Sequence, residues 1–201
     1  MLRIVGGTLR GRILRAPQGR GTRPTSARVR EAIFDVLCHN PSHGVELNGA
    51  RLVELFAGSG ALGIEALSRG AREAIFVERD PSAAALLRRN LRDLGLEERA
   101  EVWTQDATRS RAALKERAPF DLLLMDPPYR ARKDTLDALE TLAPAELLGY
   151  PGLMVLEQAA GAGHPSLEGF TPPLARRWGS SEALFFQRHE SIGPENGGDL
   201  E

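Results

Sequence analysis

At 201 residues and 42% hydrophobic content, the chain can bury one sizeable core, so a single domain with a small appendage is expected. It has no run of about 18 apolar residues and its first residues lack the apolar centre of a secretory signal, which predicts a cytoplasmic protein without a membrane span. Cys38 stands alone and excludes an internal disulfide, Pro41 separates His39 from His43 so that no metal site is expected, and the net charge of -1 divides into +6 over residues 1–37 and -7 over the remainder.

Residues 1–25 are rich in Gly, Arg, Pro and Thr. Apolar pairs at Ile4-Val5 and Ile13-Leu14 flank a glycine-containing turn, so this extension reads as a β-hairpin followed by a loop. Thr25-Ser26 offers an N-cap for a helix from about 27 to 37, whose Val29, Ile33, Phe34 and Leu37 form an apolar stripe. Short apolar runs then alternate with helical patterns. Strands are expected at 52–56, 74–78, 101–104, 121–126 and 153–157, and helices near 61–69, 81–94, 107–117 and 133–142. A last pair, 175–178 and 183–188, predicts an antiparallel hairpin. The fold class expected is α/β and Rossmann-like, with a mostly parallel seven-stranded sheet over residues 26–190 and a disordered tail over 191–201.

Two elements carry chemistry. Glu54-Leu55-Phe56-Ala57-Gly58-Ser59-Gly60-Ala61-Leu62-Gly63 is a G-x-G-x-x-G turn between a strand and a helix, where glycines let a ligand approach the backbone. Glu78 ends the next strand, placed to accept from the hydroxyls of a ribose, and Asp106 follows the third strand, either on an adenine amino group or as a helix N-cap. The second element is Asp126-Pro127-Pro128-Tyr129 at the end of the fourth strand. Its prolines have no N–H, so the Asp126 carboxylate and the Pro127 carbonyl present acceptors alone to an exocyclic amine, while Tyr129 can stack on a base. A nicotinamide dehydrogenase would share the glycine turn but would not need this second element.

Together these stretches resemble the cofactor-binding and D/N-P-P-F/Y motifs of S-adenosylmethionine-dependent amino-methyltransferases. With Arg3-Ile4-Val5-Gly6-Gly7, Arg23-Pro24-Thr25 and Arg28-Val29-Arg30-Glu31 added, the chain from 1 to about 190 resembles the bacterial 16S ribosomal RNA guanine-N2 methyltransferases commonly called RsmD. The resemblance implies S-adenosyl-L-methionine held by Thr25, Glu54, Phe56, Ala57, Gly58, Ser59, Gly60, Gly63, Glu78, Arg79, Asp106 and Ala107. It also implies a target amine held by Asp126, Pro127, Pro128 and Tyr129. The cationic extension is expected to dock RNA within a small ribosomal subunit through Arg3, Arg10, Arg12, Arg15, Arg20, Arg23 and Arg28, with the protein acting as a monomer. Methylation of DNA or of a protein glutamine, and a non-catalytic nucleic-acid-binding module, are the alternatives.

Overall fold

The computed structural model describes residues 2–16, 27–40, 45–127 and 132–189. Two short strands, β1 (Leu2–Arg3) and β2 (Ile13–Leu14), pair antiparallel and precede helix α1 (Ala27–His39). The main sheet is then built from β3 (Arg51–Leu55), β4 (Glu73–Glu78), β5 (Ala100–Thr104), β6 (Phe120–Met125), β7 (Leu148–Ala159), β8 (Leu174–Trp178) and β9 (Ser181–Gln187). Its order is β5-β4-β3-β6-β7-β9-β8, with β9 antiparallel to both of its neighbours and the pairings from β5 to β7 all parallel. This is the expected α/β fold with its C-terminal antiparallel hairpin.

Strands covered on both faces read as unbroken apolar runs, and β6 is the clearest case: Leu122 to Met125 are at most 1% exposed. Alternate side chains enter two cores. Leu52, Phe76, Leu122 and Leu124 pack with α1, α2 (Ala61–Ser68) and α3 (Pro81–Leu94), whereas Val53, Leu55, Val77 and Met125 pack with α4 (Arg111–Arg117), α5 (Arg132–Leu142) and α6 (Pro144–Leu147). Helix α3 has sharp ends for local reasons. Asp80 accepts from the Ser82 and Ala83 N–H groups, Pro81 occupies the first turn, and Gly95 closes the helix at φ 69°.

Four expectations need correction. The first hairpin arm is Leu2–Arg3 rather than Ile4-Val5: Ile4 still bonds Arg12 and Gly11 across the hairpin, but the Val5 and Gly6 amides donate to Glu65 on α2 instead of to the opposite arm. The helix expected over 107–117 is broken at Ser110 into a 3₁₀ turn (Ala107–Arg109) and α4. Strand β7 starts at Leu148, ahead of the expected 153, and α6 has no counterpart among the expected helices. The N-cap at Thr25-Ser26 and the tail over 191–201 lie outside the described residues. Within those residues no helix is long and apolar enough to cross a membrane.

The appendage is not a separate body. Ile4 and Leu14 are 1% and 2% exposed in the main core, and Glu65 accepts from Val5 N–H (2.9 Å), Gly6 N–H (2.7 Å) and Arg69 Nε (3.0 Å). Arg30 of α1 completes the arrangement: its Nε lies 3.5 Å from Glu65, both side chains are fully buried, and its guanidinium also donates to the Arg3 carbonyl. Ser68 accepts from Leu9 N–H and donates to the Gly6 carbonyl.

Candidate active site

The strand order reverses between β3 and β6. Chain that leaves β3 crosses to β4 and β5 on one side, and chain that returns through β6 proceeds to β7 on the other; ligands of doubly wound sheets bind in the crevice at the carboxyl ends of such a pair. Here those ends are the glycine loop and Asp126-Pro127. The register Leu55↔Met125 makes Phe56 and Asp126 the first residues beyond a matched pair.

Phe56 enters the loop at φ 57°, a left-handed conformation uncommon for a side chain of its size. The three motif glycines serve different ends. Gly60, at φ 76°, caps α2, and a Cβ there would run into Leu87 of α3; a Cβ at Gly63 would lie 2.7 Å from Glu54 Oε2. At Gly58 a Cβ would meet nothing nearer than the Phe56 carbonyl at 4.0 Å, so this is the motif glycine whose backbone lies most open to a ligand. Gly60 and Gly63 thus also leave room for the protein's own side chains.

Buried glutamates hold the loop from below. Glu78 is 9% exposed and accepts from Gly58 N–H through Oε2 (2.7 Å) and Asp80 N–H through Oε1 (2.8 Å), which fixes both oxygens at the loop and leaves lone pairs for hydroxyl donors. Glu54 accepts from Gly63 N–H (2.8 Å) and Leu62 N–H (3.4 Å) at the start of α2. Burial pushes the Glu54 carboxyl up to about 8, with the two N–H groups opposing this and the charges of Asp126 and Glu78 adding to it. A raised native value means that the folded chain holds a proton that the unfolded chain, near 4.5, has released. Stability contributed by this proton is full below pH 4.5 and is lost as pH rises towards 8. The gap in melting temperature between wild type and Glu54→Gln should therefore move against the wild type from about pH 5 to about pH 8. A constant gap would rule out the protonated carboxyl.

Beside the loop lies a cleft of about 520 Å³ lined by Phe56, Arg79, Asp106, Thr108, Arg109 and Asp137, within the range of roughly 300–1,000 Å³ usual for small-molecule sites. Asp106 caps the 3₁₀ turn by accepting from Thr108 N–H (2.9 Å) and Oγ1 (2.6 Å). Those bonds, with Arg79 and Arg109 nearby, hold its carboxyl below the usual range, so it is an ionised acceptor at the wall of the cleft. Ala107 is buried beneath it. Open backbone at Gly58, an acceptor at Asp106 and an aromatic wall at Phe56 suit a nucleoside-bearing cofactor. Thr108, Arg109 and Asp137 escape sequence reasoning, Asp137 because it reaches the cleft from α5, a proximity no local pattern encodes.

At the end of β6, Asp126 is half-buried and Pro127 buried; Pro128, Tyr129, Thr25, Arg20 and Arg23 lie outside the described residues. Of the remaining cationic positions, Arg10 and Arg28 are exposed. Arg3 donates to the Gly11 carbonyl, while Arg12 and Arg15 reach α3, on the Asp93 carbonyl (2.9 Å) and carboxylate (3.0 Å). No group of three or more His, Cys, Asp or Glu side chains among the described residues is arranged to hold a metal ion.

Comparison with known proteins gives concordant results. A family described as "Conserved hypothetical protein 95" matches residues 2–187. YlbH of Bacillus subtilis, named as a candidate rRNA methyltransferase, is 42% identical over 158 residues, covering 78% of this chain and 82% of YlbH. Ribosomal RNA small subunit methyltransferase D of Escherichia coli K12 is 38% identical over 141 residues, covering 69% and 67% of the two chains. Among solved structures, the Escherichia coli chain yhhF, named as a candidate methyltransferase, superimposes with a TM-score of 0.74 at 32% identity over 94% of this chain and 98% of its own.

Proposed function

Because the chain belongs to the family described as "Conserved hypothetical protein 95", we propose that it methylates the exocyclic N2 amine of a guanine in small-subunit ribosomal RNA. Its fold is that of the class I methyltransferases and its cofactor is S-adenosylmethionine. At the coarser level, methylation of ribosomal RNA is the activity named for its relatives. The observation that carries the finer reading is the placement of Asp126-Pro127 beside the glycine loop, across the register Leu55↔Met125.

The cofactor, when bound, supplies a methyl group already activated on a sulfonium. Phe56, Gly58, Glu78 and Asp106 are the residues to hold it. The Asp126 carboxylate and the Pro127 carbonyl accept the two N–H bonds of the target amine, which turns the nitrogen lone pair out of conjugation with the ring and towards the cleft. Little acid–base power is needed, since the amine loses its extra proton readily once it becomes cationic; orientation is the main contribution of the protein. Tyr129 is assigned to stacking on the base. Incubation with S-adenosylmethionine and small-subunit particles isolated from a strain lacking the protein, followed by nucleoside mass spectrometry, should yield N2-methylguanosine. Methyl transfer to another base or to protein, or none to RNA, would overturn the reading.

Docking is assigned to the basic N-terminal face, because phosphate contacts supply most of the sequence-independent affinity for RNA. Arg10 and Arg28 are the better probes of it, since the Arg12 and Arg15 side chains also tie the segment to α3. An Arg10→Ala, Arg28→Ala double variant should bind RNA more weakly, with cofactor affinity unchanged. The slope of log K against log salt should fall by about 0.7 for each phosphate that the double variant no longer neutralises. An unaltered slope would remove these two arginines from the interface.

A further inference from the structure

Helix α3 carries Leu87, Leu91 and Leu94 on its buried face, and Asn90 interrupts this stripe at 2% exposure. A polar side chain so placed must find partners, and Asn90 uses both ends of its amide. Its Oδ1 accepts from Arg15 N–H (2.9 Å); its Nδ2 donates to the Arg15 carbonyl (3.0 Å) and to the Ser59 carbonyl (3.0 Å). One residue therefore imitates a strand partner for Arg15 and, with the same amide group, grips the glycine loop between Gly58 and Gly60. Leu87, one turn earlier, packs against that loop at Gly60. Asp93, one turn later, receives Arg12 and Arg15.

We propose that Asn90 is a positioning residue that couples occupancy of the cofactor loop to the anchoring of residues 12–15, so that bound cofactor tightens the grip of the N-terminal segment on RNA. The RNA clause rests on the function proposed above; the coupling itself does not. A ligand lying on Gly58 fixes the peptide units around Ser59, the Ser59 carbonyl holds the Asn90 amide in place, and that amide holds both backbone groups of Arg15. Linkage is reciprocal, so the anchored segment favours cofactor binding by the same factor.

Amide hydrogen exchange at Arg15, with and without S-adenosylhomocysteine, tests the coupling directly. In the wild type the ligand should slow exchange at Arg15 by about five-fold or more, the lower end of typical couplings. In Asn90→Ala, exchange at Arg15 should be fast and indifferent to the ligand, with the amides of β4 and β6 protected as before. Asn90→Asp keeps an acceptor for Arg15 N–H but loses the donor to both the Ser59 and Arg15 carbonyls, so exchange at Arg15 should be slower than in Asn90→Ala yet cease to respond to the ligand. A wild type whose Arg15 ignores the ligand, or a variant at position 90 that still responds, would overturn the proposal. RNA affinity should rise by a similar factor with S-adenosylhomocysteine in the wild type and in neither variant, and an unchanged affinity in the wild type would overturn the RNA clause. A wild type that shows the Arg15 response but binds no RNA would instead overturn the substrate assigned above.

Discussion

Asp126→Ala should lower turnover by at least about two orders of magnitude while changing cofactor affinity only a few-fold, since in the proposed function it removes the group that orients the reacting nitrogen. The side chain stands at the end of β6, at the crevice where the sheet order reverses, whereas the bonds that hold the glycine loop come from Glu54, Glu78 and Asn90. Loss of its charge also lets the Glu54 carboxyl ionise more readily, a change that acts on the loop and not on the amine. Asp126→Asn retains one carbonyl acceptor and should keep more activity than Asp126→Ala. Single-turnover methyl transfer gives the first quantity and calorimetry with S-adenosylhomocysteine the second. Equal losses in both would assign Asp126 to the cofactor.

Glu65→Ala should cost about 3–5 kcal/mol of stability, the range for removing one partner of a buried ion pair. Glu65 is fully buried and accepts from two backbone amides and from Arg69, and Arg30 faces it from α1 with no exposure to solvent. Without the carboxylate, a buried guanidinium loses its counter-charge and the Val5 and Gly6 amides lose their acceptor. Urea unfolding measures the loss, and Glu65→Gln, which preserves a single acceptor oxygen, should fall between. An Arg30→Leu, Glu65→Leu double variant should be less destabilised than Glu65→Ala, because it removes the fully buried guanidinium along with its counter-charge and leaves only the partly exposed Arg69 without its carboxylate. A loss below about 1 kcal/mol in Glu65→Ala, typical of an exposed pair, would contradict the buried arrangement.

The parallel sheet is legible because its strands are buried on both faces and so appear as apolar runs: the expected 74–78 is Glu73–Glu78 in the structure, and the expected 121–126 is Phe120–Met125. Helix α3 is readable to the residue because its signals are local, an aspartate cap, a proline and a closing glycine. What escapes depends on partners distant in sequence. The first hairpin arm shifts because its amides bond Glu65, some sixty residues away, and the wall of the cleft includes Asp137 from a helix after β6. Asn90 does leave a trace, a polar residue within an apolar stripe, but both of its partners lie far earlier in the chain, at Arg15 and Ser59. The glycine motif is legible as a strand-to-helix turn, but not the fact that Gly60 and Gly63 also leave room for Leu87, Phe76 and Glu54, side chains brought there by packing.

The way the N-terminal hairpin is fastened bears on how such proteins can be recombined. Its apolar side chains Ile4 and Leu14 complete the core beside α1 and α2, and its amides are answered by Glu65 and Ser68. A hairpin transplanted onto a chain without equivalents of Glu65 and Ser68 would lose those acceptors unless α2 travelled with it. The N-terminal segment and α2 thus form one inheritable piece, although a long stretch of chain separates them.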